Sequence, residues 1–325
     1  MSQQIANNNK HLMLFSGRAY PELAQEVASL MDVPLVPTRA LTYANSEIYV
    51  RFEESVRGCD AFVIQSHTAP VNEWIMEQLI MVDALKRASA KRITVVAPFY
   101  PYARQDKKHL GREPISARLV ADLYKAAGAD RIMSVDLHAA QIQGFFDGPV
   151  DHLWGLPVLS EYVKEKYDPS EMTIVSPDAG RVRLADLWTD YLGCPLAIIH
   201  KRRDPNTANQ IEVHEVVGEV EGKTCLLIDD MIDTAGTIAQ AAHALRERGA
   251  KRVIAAATHA VFSGPAAQRL NASGMDEIIV TNTLPIRTPE PVQNLTVLSI
   301  APLIAKAIDA VFLDGSVTSL FGGQA

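Results

Sequence analysis

Short apolar runs alternate with longer amphipathic stretches along nearly the whole chain, and this alternation restricts the available folds more than any other feature. Residues 11–16 read as a strand and 21–31 as the helix that follows. Further strands fall at 61–65, 92–97 and 131–136, with helices at 72–89 and 115–127 between them. The plan then repeats, with strands at 173–176, 197–200, 225–228 and 253–257 and helices at 180–191 and from 238 to about 248. Strands that alternate with helices pair in parallel and are covered on both faces, so the pattern predicts an α/β fold.

A chain of 325 residues exceeds one average domain. Gly148, Pro149, Gly155 and Pro157 mark a break, which gives domains of 1–152 and 153–325, with the C-terminal end left open to pack back on the first. Ala90-Lys91-Arg92-Ile93 between a helix and a strand recurs as Ala250-Lys251-Arg252-Val253, which points to duplication. Before the helices, AFVIQSHTAP in the first half corresponds to CLLIDDMIDTAGT in the second, and only the second carries carboxylates.

That second segment carries the chemistry. An apolar run meets Asp229 and Asp230, and Asp233-Thr234-Ala235-Gly236-Thr237 then turns into an alanine-rich helix. A helix N-terminus offers free N–H groups and a positive dipole end, which suits a phosphate. The small residues let the backbone approach phosphate oxygens, and the threonine hydroxyls add hydrogen bonds. Asp229 and Asp230 are placed to accept from ribose hydroxyls or to hold a metal. The plainer alternative is an acidic strand end with Asp or Thr as N-cap.

Four other places suit anions or cations. PFYPYARQDKKHLGREP at 98–114 puts Arg104, Lys107, Lys108 and Arg112 after three aromatic residues, suited to gripping phosphate and stacking on a base, or to forming a solvated loop. His138 and Asp178 each follow a strand end, where α/β sheets bind ligands, and either serves a hard cation or merely caps a turn. His200-Lys201-Arg202-Arg203 closes another strand and runs into a polar segment, 204–210, of lid character.

Bulk properties exclude several classes. The net charge of −7 argues against general nucleic-acid binding. Cys59, Cys194 and Cys225 have neither zinc spacing nor an even count, which fits a reducing cytoplasm. The polar start MSQQIANNNK is unlike a signal peptide, and no apolar run is long enough for a membrane span.

With these pieces placed, the chain resembles the ribose-phosphate diphosphokinase (phosphoribosyl pyrophosphate synthetase) family from about Leu12 to Phe321. The resemblance rests on SVRGCDAFVIQS, MVDALKRASAKRIT, PYARQD, DLHAAQIQGFFD, VSPDAGRVR, HKRRDP and LIDDMIDTAGT. It is strongest to bacterial members regulated by phosphate and ADP, the actinobacterial ones above all. It implies two similar phosphoribosyltransferase-like domains, each a mainly parallel sheet flanked by helices. The implied reaction passes the diphosphoryl group of Mg-ATP to ribose 5-phosphate. Rival readings are a phosphoribosyltransferase that consumes the product and a non-catalytic regulatory homologue.

The resemblance also implies roles. Asp229, Asp230 and Asp233-Thr234-Ala235-Gly236-Thr237, with Arg203, bind ribose 5-phosphate. Arg104 and Gln105 bind ATP, as does the turn Tyr43-Ala44-Asn45-Ser46-Glu47, where Asn45 and Ser46 replace the family's Asp-Gly. His138 and Asp178 help hold Mg²⁺. Lys201 and Arg203 are the catalytic cations. Ala235 stands where many members have glycine. Ser316 and Thr318 match regulatory phosphate contacts, and a homo-hexamer is implied.

Overall fold

The computed structural model describes residues 11–203 and 212–322. The chain forms two units: Gly155–Ser299 is one, and the residues before it together with those from Ile300 onward make the other. The first contains β1 (Leu12–Ser16), α1 (Pro21–Met31), β2 (Thr38–Thr42), β3 (Ile48–Phe52), β4 (Asp60–Ile64), α2 (Val71–Arg87), β5 (Arg92–Ala97), α3 (Ser116–Ala127), β6 (Arg131–Val135) and β7 (Val150–Leu153). The second contains α4 (Leu156–Lys166), β8 (Met172–Ser176), α5 (Val182–Leu192), β9 (Leu196–Arg203), β10 (Glu212–Val217), β11 (Thr224–Ile232), α6 (Gly236–Glu247), β12 (Arg252–Ala260), α7 (Ala266–Ala272), β13 (Glu277–Thr281) and β14 (Leu295–Leu298). A last helix, α8 (Ala301–Phe312), returns to the first unit and lies against α1.

The two units share one topology. The first sheet runs β1-β4-β5-β6-β7, all parallel. The second contains β8-β11-β12-β13-β14 in the corresponding order, also parallel. An antiparallel pair follows the first strand in each: β2–β3 stands apart, whereas β9–β10 extends its sheet beyond β8.

The four-residue echo falls at equivalent places. The Lys91 and Arg92 amides donate to Cys59 O at 2.8 and 3.3 Å, and those of Lys251 and Arg252 donate to Lys223 O at 2.9 and 3.3 Å. The Ile93 amide donates to Asp130 Oδ2 (2.8 Å), and the Val253 amide to Asp276 Oδ2 (2.7 Å). Shared backbone pairing of this kind comes from a repeated unit rather than from similar composition.

The core follows strand alternation. Along β11, Cys225 and Leu227 pack on the α6 side with Ile238, Ala242 and Leu245, while Leu226 and Ile228 face Ala185 and Trp188 of α5. Successive strand side chains point to opposite faces, so a continuous apolar run means burial on both.

The structure corrects the sequence reading in several places. β11 does not stop before the acids; pairing with β12 continues to Ile232–Ala260, so Asp229 and Asp230 lie inside the strand. Likewise β9 runs through Arg203, because the ladder with β10 pairs Lys201 with His214 and Arg203 with Glu212. The polar segment 204–210 lies outside the described residues. The β2–β3 pair had no clear signal, because its residues are half-buried or exposed without alternation.

In the first unit Gln65, Ser66 and His67 follow β4, all buried. Counting from Asp60 and Thr224, Gln65 and Ser66 take the places of Asp229 and Asp230. Gln65 donates to Glu77 Oε1 at 3.0 Å and accepts from the Ala19 amide at 3.2 Å, so this copy of the loop is a structural network. His67 Nδ1–H donates to Phe99 O (3.2 Å), and Nε2 lies 3.1 Å from the Tyr124 hydroxyl.

Burial pushes the His67 imidazole down to about 4 from an ordinary 6.5. Between those values the unfolded chain holds a proton that the folded one lacks, so stability is full above 6.5 and falls as pH drops toward 4. The expected loss is on the order of 3 kcal/mol. Urea-unfolding midpoints from pH 7 to pH 4 should fall less steeply in His67→Gln, and equal slopes would remove His67 from the acid response.

Candidate active site

In the second unit the site is built on the C-terminal end of β11 and the N-terminus of α6. The loop after β12 closes over the turn: the Val261 and Phe262 amides donate to Ile232 O at 3.0 Å each, and the Ser263 amide to Asp233 O at 3.0 Å. Arg269 Nη1 donates to Thr234 O (3.0 Å) from α7. A Cβ on Gly236 would lie 3.3 Å from that guanidinium, so a larger residue would have to displace it.

Ala235 precedes the helix at φ 60°, ψ 8°. The left-handed region costs a non-glycine residue on the order of 1 kcal/mol, so Ala235→Gly would relieve strain at this turn. No side chain caps α6 from this residue, and its first turn holds no acid. The leading N–H groups of α6 are therefore presented beside Thr234 and Thr237, an arrangement suited to an anion.

Next to this turn is a cation that the sequence reading gave no role. Arg181 Nε lies 2.7 Å from Asp229 Oδ1, and its Nη2 lies 2.7 Å from Asp230 Oδ1. The Asp230 amide also donates to Asp229 Oδ1, at 2.8 Å. Burial and the adjacent Asp230 carboxylate push Asp229 well above the usual carboxylate range, and the Arg181 guanidinium opposes them. The signal was present in VSPDAGRVR, but nothing in the sequence shows which acids that arginine meets. Arg269, far along the chain in QRL, had no signal at all.

Asp178 serves locally as a cap: its Oδ1 accepts from the Gly180 amide at 2.8 Å, and Ser176 Oγ donates to its carbonyl at 2.7 Å. His138 is half-buried after β6 in the first unit. Among the described residues no group of three or more His, Cys, Asp or Glu side chains is arranged to hold a metal ion. Lys201 and Arg203 lie on β9, in its ladder with β10.

In the first unit, residues 43–47 form the turn between β2 and β3. The Tyr43 amide donates to Glu47 O (2.8 Å) and the Ser46 amide to Tyr43 O (2.9 Å). Asn45 Oδ1 accepts from the Glu47 amide at 3.2 Å. Ser46 has φ 71°, a conformation that glycine adopts without strain. The loop after β5 exposes Arg104 and Gln105, and Gln105 Oε1 accepts from Ser116 Oγ at 2.7 Å. Tyr100 is core rather than a stacking surface, with its hydroxyl on Ala117 O at 2.9 Å.

Near the C-terminus, Ser316 Oγ and Thr318 Oγ1 lie 2.8 Å apart. They border a cavity of about 350 Å³ with Arg92, Arg131, Asp151 and Asp314.

Family comparison matches residues 12–128 to the N-terminal domain of ribose phosphate pyrophosphokinase and 205–322 to the phosphoribosyl synthetase-associated domain. A ribose-phosphate pyrophosphokinase of Streptomyces coelicolor is 66% identical over 97% of both chains. One from Corynebacterium glutamicum is 61% identical over 100% of both. The crystal structure of phosphoribosylpyrophosphate synthetase from Mycobacterium smegmatis superposes with a TM-score of 0.89 at 64% identity, over 94% of this chain and 100% of that one.

Proposed function

The chain belongs to the ribose-phosphate pyrophosphokinase family, and we propose that it transfers the diphosphoryl group of ATP to the anomeric hydroxyl of ribose 5-phosphate. The products are 5-phospho-α-D-ribose 1-diphosphate, a precursor for nucleotide, histidine and tryptophan synthesis, and AMP. The observation that carries this reading is the N-terminus of α6, led by the small residues Ala235 and Gly236 with no acid in its first turn, beside a paired-carboxylate strand end. The amides of Thr234–Thr237 take the 5-phosphate, and Asp229 and Asp230 take ring hydroxyls. Asp233 fixes the entry to the loop.

ATP binds in the first unit, through the Tyr43–Glu47 turn and through Arg104 and Gln105. Positioning and charge neutralisation account for most of phosphoryl-transfer catalysis. Lys201 and Arg203 therefore offset charge on the transferring group, and Arg203 also reaches the sugar phosphate. Mg²⁺ supplies further neutralisation of the phosphate oxygens. His138, in the first unit, and Asp178, in the second, would each offer such an ion one ligand, with substrate phosphate oxygens and water supplying the rest, the usual arrangement for Mg²⁺.

Phosphate as activator rests on the family resemblance at Ser316 and Thr318, whose hydroxyls border a cavity in which Arg92 is paired with Asp60 and Asp314, and Arg131 with Asp151. ADP as inhibitor, a homo-hexamer and a cytoplasmic location complete the reading. The three buried, unpaired thiols suit a reducing compartment, and no helix among the described residues is long and apolar enough to cross a membrane. A phosphoribosyltransferase would share the loop but has no need of a second unit that repeats the fold without its acids. Incubating the protein with ATP, Mg²⁺ and ribose 5-phosphate tests the proposal. AMP should accumulate in step with the sugar diphosphate, and a reaction that yields neither ends it.

A further inference from the structure

The convergence of Asp229 and Asp230 on one cation is unusual for neighbours in a strand. Adjacent strand side chains ordinarily face opposite sides of a sheet. Here both carboxylates meet a single guanidinium, beyond Leu227, the last β11 residue paired with β8. Two like charges on adjacent residues repel, and a planar fork that binds both offsets the repulsion and sets their orientation.

The fork itself is held in place. Arg181 ends the short helical turn that starts at Ala179, and its amide donates to Asp178 O at 3.3 Å. The Asp178 carboxylate caps that same turn. The guanidinium side chain is only 21% exposed. Asp229 Oδ1 is taken up by Arg181 and by the Asp230 amide, so the orientation of the Asp229 carboxylate is determined before any sugar arrives.

We propose that Arg181 is a positioning residue for pentose recognition: by forking Asp229 and Asp230 it presents the acid pair to the hydroxyls of ribose 5-phosphate. This rests on the sugar-phosphate reading of the α6 turn. Removing the fork leaves two carboxylates free to splay apart, so binding of the sugar suffers more than turnover. Lysine keeps the charge but lacks the planar fork that fixes both carboxylates in one geometry.

Calorimetric titration of the full-length protein with ribose 5-phosphate, together with steady-state kinetics, tests this. Arg181→Met should weaken sugar binding about 30-fold, the range for losing hydrogen bonds to charged groups, and Arg181→Lys about 5-fold. KM for the sugar should rise in parallel, while KM for ATP stays near the parent value. A purely structural role would lower the active fraction, and hence kcat, without this split. If Arg181→Met does not fold, Arg181→Lys and Arg181→Gln carry the same comparison. Parent-like sugar affinity in the folded variants overturns the inference alone. A parent protein that does not bind the sugar overturns the sugar-phosphate reading, and this inference with it.

Discussion

Replacing Lys201 with alanine is expected to lower kcat about a hundredfold or more, because removing one preorganised donor to a transition-state anion costs on the order of 3 kcal/mol. The charge on the transferring diphosphoryl group is neutralised by groups already in place, so one missing cation is not replaced by water at equal energy. Sugar affinity should stay within about twofold, since an interaction made mainly in the transition state contributes little to ground-state binding. Single-turnover kinetics with saturating ATP and ribose 5-phosphate would measure the chemical step, with calorimetry for the sugar. Near-normal turnover would exclude Lys201 from the mechanism. A matched loss of sugar affinity would reassign it to binding.

The second large effect concerns the integrity of the second unit, which holds β11 and the turn into α6. Glu277, at the start of β13, is buried, yet four donors converge on it. Tyr162 OH and Lys166 Nζ each reach Oε1 at 2.7 Å from α4, and Thr296 Oγ1 reaches it at 2.6 Å from β14. Tyr167 OH donates to Oε2. Burial alone would push this carboxyl up, but the Lys166, Thr296, Tyr167 and Tyr162 donors outweigh it and bring it down to about 2.

Glu277→Ala leaves those donors facing each other around a void and should cost about 3–5 kcal/mol. Equilibrium unfolding in urea measures it, and a loss below about 1 kcal/mol would show that water replaces the carboxylate. The pH signature has the same sign as that of His67 but lies lower on the scale. The carboxyl of the folded chain titrates near 2 and that of the unfolded chain near 4.5, so its stabilisation is present above 4.5 and is lost as pH falls toward 2. Glu277→Ala should flatten the stability profile in that window, below most of the range governed by His67.

Much of this architecture was legible in the order of residues. The helix at 21–31 and the strand at 92–97 coincide with α1 and β5, because proline at the helix start and continuous β-branched or apolar runs are local signals. The turn into α6 was legible for the same reason: it lies in consecutive residues, Asp233 to Thr237. The duplication showed in a four-residue echo, which the fold ties to equivalent hydrogen bonds.

Other features depend on contacts between residues far apart in sequence. The acids at 229 and 230 sit within β11 because β12 continues to pair with it to Ile232, a property of the neighbouring strand. Tyr100 looked available for stacking until the start of α3 offered its hydroxyl a buried acceptor. The four donors around Glu277 come from α4 and β14 as well as from the segment that follows α4.

Sequence by itself determined the repeated α/β plan, the small-residue turn that leads into α6 and the family, since these are written in local periodicity and contiguous motifs. Tertiary structure alone decided that Arg181 reaches across from the end of β8 to clasp Asp229 and Asp230. Such a pairing depends on which strands lie side by side, and strand order arises from long-range packing that no window of neighbouring residues encodes.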